Sequence, residues 1–289
     1  MRTERSSEAM LSPHARTKNW KYIALGIVRR CMPEKFLFAW LNLRGGVNSA
    51  EISPAQKFLE WNAQLAQERI DLADKVVLEM GSGRYARLAL QMLAAGARRV
   101  MLVDPYALPL NHPAQRAVLA QDCANVGLPL AALARIEIYS QDILTLVLPQ
   151  IAQQPDLVVS TAVLEHVRDP EKILRRCYAW LKPNGVTFHI VDLRDHNLAF
   201  AYPFEMLTYR QAVWDKWLDL RGGFHLNRWR APNYLRALVE AKFVNVRLRT
   251  FLQDRAALEK IWTRIQPEFQ TLGKEHLVAL GIYLYGEKA

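Results

Sequence analysis

Val76-Val77-Leu78-Glu79-Met80-Gly81-Ser82-Gly83 is the stretch on which the reading of this chain turns. An apolar, partly β-branched run reaches an acid, and a Gly-x-Gly pair follows at once. Such a run fits a buried strand, and glycines directly after it allow a sharp turn and a close backbone approach to a ligand. Together they predict the first strand of a parallel sheet, opening over a nucleotide-like ligand at its carboxyl end. Glu79 narrows the ligand. A carboxylate at that mouth repels a pyrophosphate and favours cationic or hydroxyl-rich groups.

Working outward, strands at residues 75–79, 99–103, 136–139, 156–160 and 186–191 alternate with helices at 84–95, 113–125, a short piece ending near 151, and 170–181. Gly96, Gly127 and Lys182-Pro183-Asn184-Gly185 stop the helices. This rhythm predicts right-handed crossovers and a doubly wound, mostly parallel α/β sheet. Residues 193–230 break it: they are rich in aromatics and contain no clear strand. A helix at 232–241, a strand at 244–250, a helical segment at 255–270 and a strand at 277–285 complete the pattern. Upstream, Ser53-Pro54 opens a helix over 54–70. The expected organisation is a basic N-terminal arm and helical cap over 1–54 and one domain over 55–289. A lid insertion over about 193–230 follows the fifth strand.

The chain has 289 residues, of which 51% are hydrophobic, enough for a sizeable core. Its apolar runs fall short of the roughly 18 residues of a membrane span, and the polar first twenty residues do not read as a signal peptide. Cys31, Cys123 and Cys177 are odd in number and widely spaced, which suggests free thiols in a reducing, cytoplasmic setting. The net charge is +10, with nine Lys/Arg against three acids in the first 45 residues. That arm suits a solvated extension, or contact with an anionic partner or a membrane surface.

Acids stand at or just past four strand ends: Glu79, Asp104, Asp142 and Asp192. Asp104 lies 21 residues beyond Gly83, where a ribose-binding carboxylate belongs. Taken with Ser160-Thr161-Ala162-Val163-Leu164-Glu165-His166-Val167 and Leu181-Lys182-Pro183-Asn184-Gly185, the span resembles the class I S-adenosylmethionine-dependent methyltransferases, the group related to ubiquinone-pathway and other small-molecule methyltransferases. The Leu-Glu-His-Val segment is its most specific piece. The resemblance covers roughly residues 55–285 and implies a Rossmann-like seven-stranded sheet with an antiparallel final strand.

Residue by residue, the resemblance implies that Glu79, Gly81, Ser82 and Gly83 hold the methionine part of S-adenosylmethionine. Asp104 and Pro105 would meet the ribose, Asp142 and Ile143 the adenine, and Ser160 and Thr161 the floor beside the methionine. Many relatives have a third glycine where this chain has Arg84 or Tyr85. Gly81-x-Gly83-x-x-Ala86 also satisfies a dinucleotide fingerprint. Glu79 beside a pyrophosphate and a Leu-Glu-His segment without a role argue against that reading.

Methyl transfer to a hydroxyl needs in-line positioning and a proton acceptor. His166, His196 and His225 are the candidate bases, while His14, His112, His189 and His276 read as structural or solvated. The acceptor site is expected from Asp192, Trp217, Phe224 and Arg228, with aromatics lining a small-molecule pocket. Arg228 and Arg230 suit an anionic group on the acceptor, or alternatively a helix cap or a pair with Asp219. The spacing of Asp192, Asp195, His196 and His166 predicts no metal. Three functions remain open: small-molecule methylation, first of oxygen and otherwise of nitrogen or carbon; methylation of nucleic acid or protein recruited by the arm; and non-catalytic cofactor binding. The chain shows no recognisable RNA-binding module and no Asn/Asp-Pro-Pro-aromatic motif, which argues against nucleic acid.

Overall fold

The computed structural model describes residues 54–147, 154–195, 202–219 and 225–289, together with Cys31 and Phe36. The rest of the arm, the helix end near residue 151, His196 and Phe224 lie outside the described residues.

The sheet has seven strands in the order β3-β2-β1-β4-β5-β7-β6. They are β1 (Val76–Met80), β2 (Arg99–Val103), β3 (Ile136–Tyr139), β4 (Leu157–Thr161), β5 (Val186–Asp192), β6 (Val244–Gln253) and β7 (Ala279–Glu287). The first five run parallel, and β7 enters antiparallel between β5 and β6. The helices are α1 (Pro54–Gln67), α2 (Arg87–Ala94), α3 (Pro113–Asn125), α4 (Pro170–Trp180), α5 (Ala231–Glu240) and α6 (Arg255–Ile261).

Strand periodicity explains the two cores. Val76, Leu78 and Met80 point to the face covered by α4 and α5, against Leu174, Trp180 and Tyr234. Val77 points to the other face, covered by α1, α2 and α3, against Trp61, Leu90 and Leu119. Burying each such side chain contributes about 1.5–3 kcal/mol. A third cluster caps the carboxyl end of the sheet: Phe204, Trp214, Leu218 and Leu226 pack on Leu258, Ile261 and Leu277.

Several expected elements differ in extent: the helix over 54–70 ends at Gln67, and the strand over 244–250 runs on to Gln253. The helix foreseen at 84–95 begins at Arg87, because the glycine turn runs on to Ala86. The segment foreseen as one helix over 255–270 is broken: α6 tightens into a 3-10 turn at Trp262–Arg264, and a separate turn starts at Pro267. The last strand begins at Ala279, since Lys274–Leu277 is a short helix. Cys123 and Cys177 are free and buried, and Cys31 is free and exposed. Among the described residues no helix is long and apolar enough to cross a membrane.

Candidate active site

The chain order reverses between β1 and β4, so their carboxyl ends open a crevice. Gly81 and Gly83 leave β1 with φ of 72° and 73°, in the left-handed region that only glycine enters freely. The Gly81 N–H donates to the Val103 carbonyl at 2.9 Å, and the Gly83 N–H to Asp104 Oδ2 at 2.8 Å. Asp104 Oδ1 accepts the Tyr106 N–H at 2.7 Å. Asp104, foreseen as a ribose ligand, therefore also clamps the glycine turn. Each carboxylate oxygen keeps a further lone pair for a hydroxyl.

Glu79 is buried one residue before the end of β1. Ser82 is half-buried in the turn, and Pro105 is exposed beside it. Asp142 is exposed and accepts the Leu144 N–H at 2.7 Å, while Ile143 packs on the core. One sheet edge thus carries two buried carboxylates, a glycine turn and an apolar shelf. That donor set fits the ammonium, ribose and flat base of S-adenosylmethionine.

At the end of β4 the two expected floor residues part. Thr161 is half-buried at the edge, whereas Ser160 is buried and its hydroxyl lies 2.8 Å from His189 Nδ1 on β5. The Ser160 side chain is spent inside the sheet rather than on the floor. Ala162 then takes φ 53°, an unusual left-handed value for alanine, and redirects the chain into a one-turn helix, Leu164–His166.

That helix brings His166 beside His225. The His166 Nδ1–H donates to the His225 backbone carbonyl at 2.8 Å. His225 Nδ1 in turn lies 2.8 Å from both carboxylate oxygens of buried Asp219, with Arg168 3.6 Å behind. A carbonyl only accepts, so it fixes the His166 proton on Nδ1 and leaves Nε2 with the lone pair. Asp219 fixes His225 in the same tautomer. Two of the three candidate histidines are thus brought together.

The expected acceptor residues fare differently. Asp192 at the end of β5 is gripped by Arg194 at 2.6–3.1 Å. Arg228 does not offer its charge to a ligand: its guanidinium is buried, donates to the carbonyls of Met206 (3.0 Å) and Tyr209 (2.6 Å) and to Gln211, and stacks on Trp214 and Phe269. Arg230 likewise donates to the carbonyls of Leu193, Leu277 and Ala279. Burial lowers the pKa of each to about 10. Asp219, a foreseen partner for these arginines, serves His225 instead. Trp217 is 42% exposed under Lys216, while its neighbour Trp214 fills the core and donates its indole N–H to the Leu226 carbonyl. The residues that sequence reasoning missed are Asp219 as the partner of His225, and Glu165. Glu165 stood in the quoted Leu-Glu-His segment, and its place directly before a candidate base was the available signal. Among the described residues no group of three or more His, Cys, Asp and Glu is placed to hold a metal ion.

The family described as a methyltransferase domain matches residues 53–248. A ubiquinone biosynthesis O-methyltransferase of Pseudomonas fluorescens (strain SBW25) is 25% identical over 143 residues, covering 48% of this chain and 53% of the relative. One of Pseudomonas putida (strain KT2440) is 27% identical over the same length and coverage. The chain spans about half the length of the curated relatives it matches. An S-adenosylmethionine-dependent methyltransferase structure from Mesorhizobium loti aligns with a TM-score of 0.47 at 17% identity, over 79% of this chain and 97% of that one. By the match over residues 53–248, this chain belongs to the class I S-adenosylmethionine-dependent methyltransferases.

Proposed function

We propose that the protein transfers a methyl group from S-adenosylmethionine to a hydroxyl of a small molecule, with His166 as the proton acceptor. The observation that carries this reading is the run from Asp219 through His225 to His166, which leaves Nε2 of His166 as the basic nitrogen. When bound, the cofactor supplies a methyl already activated as a sulfonium. The chain has three tasks: to bind the donor, to align the acceptor, and to take the hydroxyl proton as the new O–C bond forms.

Gly81 brings the cofactor turn against Val163, three residues before His166, so the loop that carries the base packs on the donor cradle. Glu79, Asp104 and the Asp142-Ile143 corner hold the donor. Asp219 orients the His225 ring and fixes the backbone beside it through the Leu226 N–H at 3.3 Å, which holds the carbonyl on which His166 rests. Residues 202–219 and 225–230 pack at the carboxyl end of the sheet and supply the acceptor wall, and the O-methyltransferases among the matched relatives support oxygen as the target.

Calorimetric titration with S-adenosylhomocysteine, with NADH and NADPH as controls, tests the cofactor. Micromolar binding of the first alone is expected. His166→Asn keeps a donor for the His225 carbonyl but lacks Nε2. Turnover on a panel of phenols, catechols, alcohols and amines should fall about 10²–10⁴-fold for hydroxyl acceptors, with S-adenosylhomocysteine binding unchanged. Full turnover by this variant, or activity on amines alone, would retire the reading.

A further inference from the structure

Glu165 has no part in the steps above, yet its carboxyl stands beside the proposed base. Its side chain is buried within the one-turn helix after β4, at 3% exposure. Oε1 accepts the Asp192 N–H at 3.3 Å and stands 4.0 Å from His166 Nε2. Oε2 is buried with no hydrogen-bond partner. A full negative charge on an orphaned, dehydrated oxygen is costly, whereas a carboxylic acid in the same place is not. Burial, with the Asp192 charge beside it, raises the Glu165 pKa well above the usual carboxylate range, while the backbone N–H groups of Glu165 and Asp192, and then Arg194, oppose the shift.

Other titratable groups of the described residues stand around the pair. Tyr234 faces Glu165 from α5, and burial raises its own pKa, so it adds no charge at neutral pH. On the far side of His166 stand the His225 carbonyl, then Asp219 and Arg168. Glu165 Oε1 thus stands on the Nε2 side of the ring, within Coulomb reach of it.

We infer that Glu165 is a positioning residue that shares one titrating proton with His166 Nε2 and so sets the pH range over which that nitrogen is open to the acceptor. Its consequence for turnover rests on the reading of His166 as the base; the coupling itself does not. With one proton on the pair, two arrangements compete: an acid beside a neutral ring, or a carboxylate beside an imidazolium. Burial favours the first and the 4.0 Å separation favours the second. In the first, Nε2 keeps its lone pair. As the acceptor O–H bond breaks towards Nε2 and the oxygen bonds to the methyl, the S–C bond pair stays on sulfur and the pair comes to hold two protons. One of them passes to water when the products leave.

The test is an NMR titration of the full chain labelled with ¹⁵N-histidine, wild type beside Glu165→Gln, with His166 assigned by its absence from the His166→Asn spectrum. Glutamine keeps the size and the acceptor for the Asp192 N–H but cannot ionise. The wild-type ring is expected to titrate in two steps. In the variant it should titrate in one, with the midpoint lower by about one pH unit or more. Superimposable curves overturn the inference. Should Glu165→Gln fail to fold, the wild-type curve decides alone, and a single step overturns it. Turnover by His166→Asn is read separately. A coupled titration alongside unimpaired turnover in that variant would remove the base and keep the pair.

Discussion

Gly81→Ala is expected to lower folding stability by about 2–5 kcal/mol and to weaken S-adenosylhomocysteine binding at least about tenfold. Two independent costs add. With φ at 72°, any Cβ meets the carbonyl crowding that disfavours left-handed backbone, about 1–2 kcal/mol. The new Cβ would also overlap Val163 Cγ2. Valine is stiff at χ1 and cannot swing aside, so the overpacking adds about 1–3 kcal/mol. If the turn yields instead, the Gly83 N–H leaves Asp104 and the donor cradle opens. If Val163 yields, the one-turn helix carrying Glu165 and His166 shifts. Urea unfolding and calorimetry on Gly81→Ala, Val163→Ala and the double variant separate the terms. The double variant should recover the steric part and keep the backbone part. Wild-type stability and binding in Gly81→Ala would show that the turn is not fixed as described.

The parts of the fold that were legible in the sequence are those where one local rule dominates. The strands β1, β2 and β4 are short apolar runs bounded by turn residues, and buried parallel strands have no other way to look. Glycine and proline marked turns because φ is freed at the one and fixed at the other, whereas left-handed turns at Ala162 and Arg228 carry no such mark. Ends were legible only where a cap spoke. Asp169 caps α4 through the Lys172 N–H at 2.9 Å and Pro170 follows it, so that start was read at the right residue. Ala86 offers no side-chain cap, and the start of α2 was read too early. The C-terminal region was misjudged because helical composition continues across Gln266-Pro267, while proline and the packing of Ile265 and Leu277 break it into turns.

The site was legible in a different measure. Residues whose roles follow from strand ends, such as Glu79 and Asp104, stand where spacing puts them. Residues whose roles depend on what lies across the fold do not announce themselves. Arg228 reads as an anion ligand from its neighbours in sequence, but φ 60° at that residue turns its guanidinium into the cluster of Trp214 and Phe269. Trp214 and Trp217 are alike in composition, and only the helical turn between them sends one inward and the other out. Asp219 meets His225 six residues further along the chain, and no periodicity encodes that meeting.

His189 yields the second large effect, on stability rather than turnover. It lies in the middle of β5, fully buried, between Ser160 on β4 and Leu284 on β7. Thr187 Oγ1 donates to the Val158 carbonyl at 3.4 Å, so it accepts from His189 Nε2 at 2.6 Å, and Ser160 Oγ then donates to Nδ1 at 2.8 Å. This bonding satisfies the neutral ring completely. Burial alone lowers its pKa to about 3 from 6.5. The sign follows directly. Above about pH 6.5 the ring is neutral in both the folded and the unfolded chain, and its full contribution to stability is present. Below that the unfolded ring takes a proton that the folded ring refuses, and stability drains as pH falls towards 3. At about 1.4 kcal/mol per pH unit, the wild type should lose about 3 kcal/mol by pH 4.5 through this residue alone, a large share of a typical folding free energy. His189→Asn offers an acceptor or donor to Ser160 and cannot charge. It should be less stable at pH 7.5 by about 1–2 kcal/mol, through a small cavity and the lost Thr187 bond, and should equal or exceed the wild type near pH 4.5. Urea unfolding of both proteins across that range measures the difference, since the carboxylates common to both cancel. Parallel pH profiles would mean that the buried ring finds a counter-charge when protonated, and that its neutral bonding is not what limits the sheet in acid.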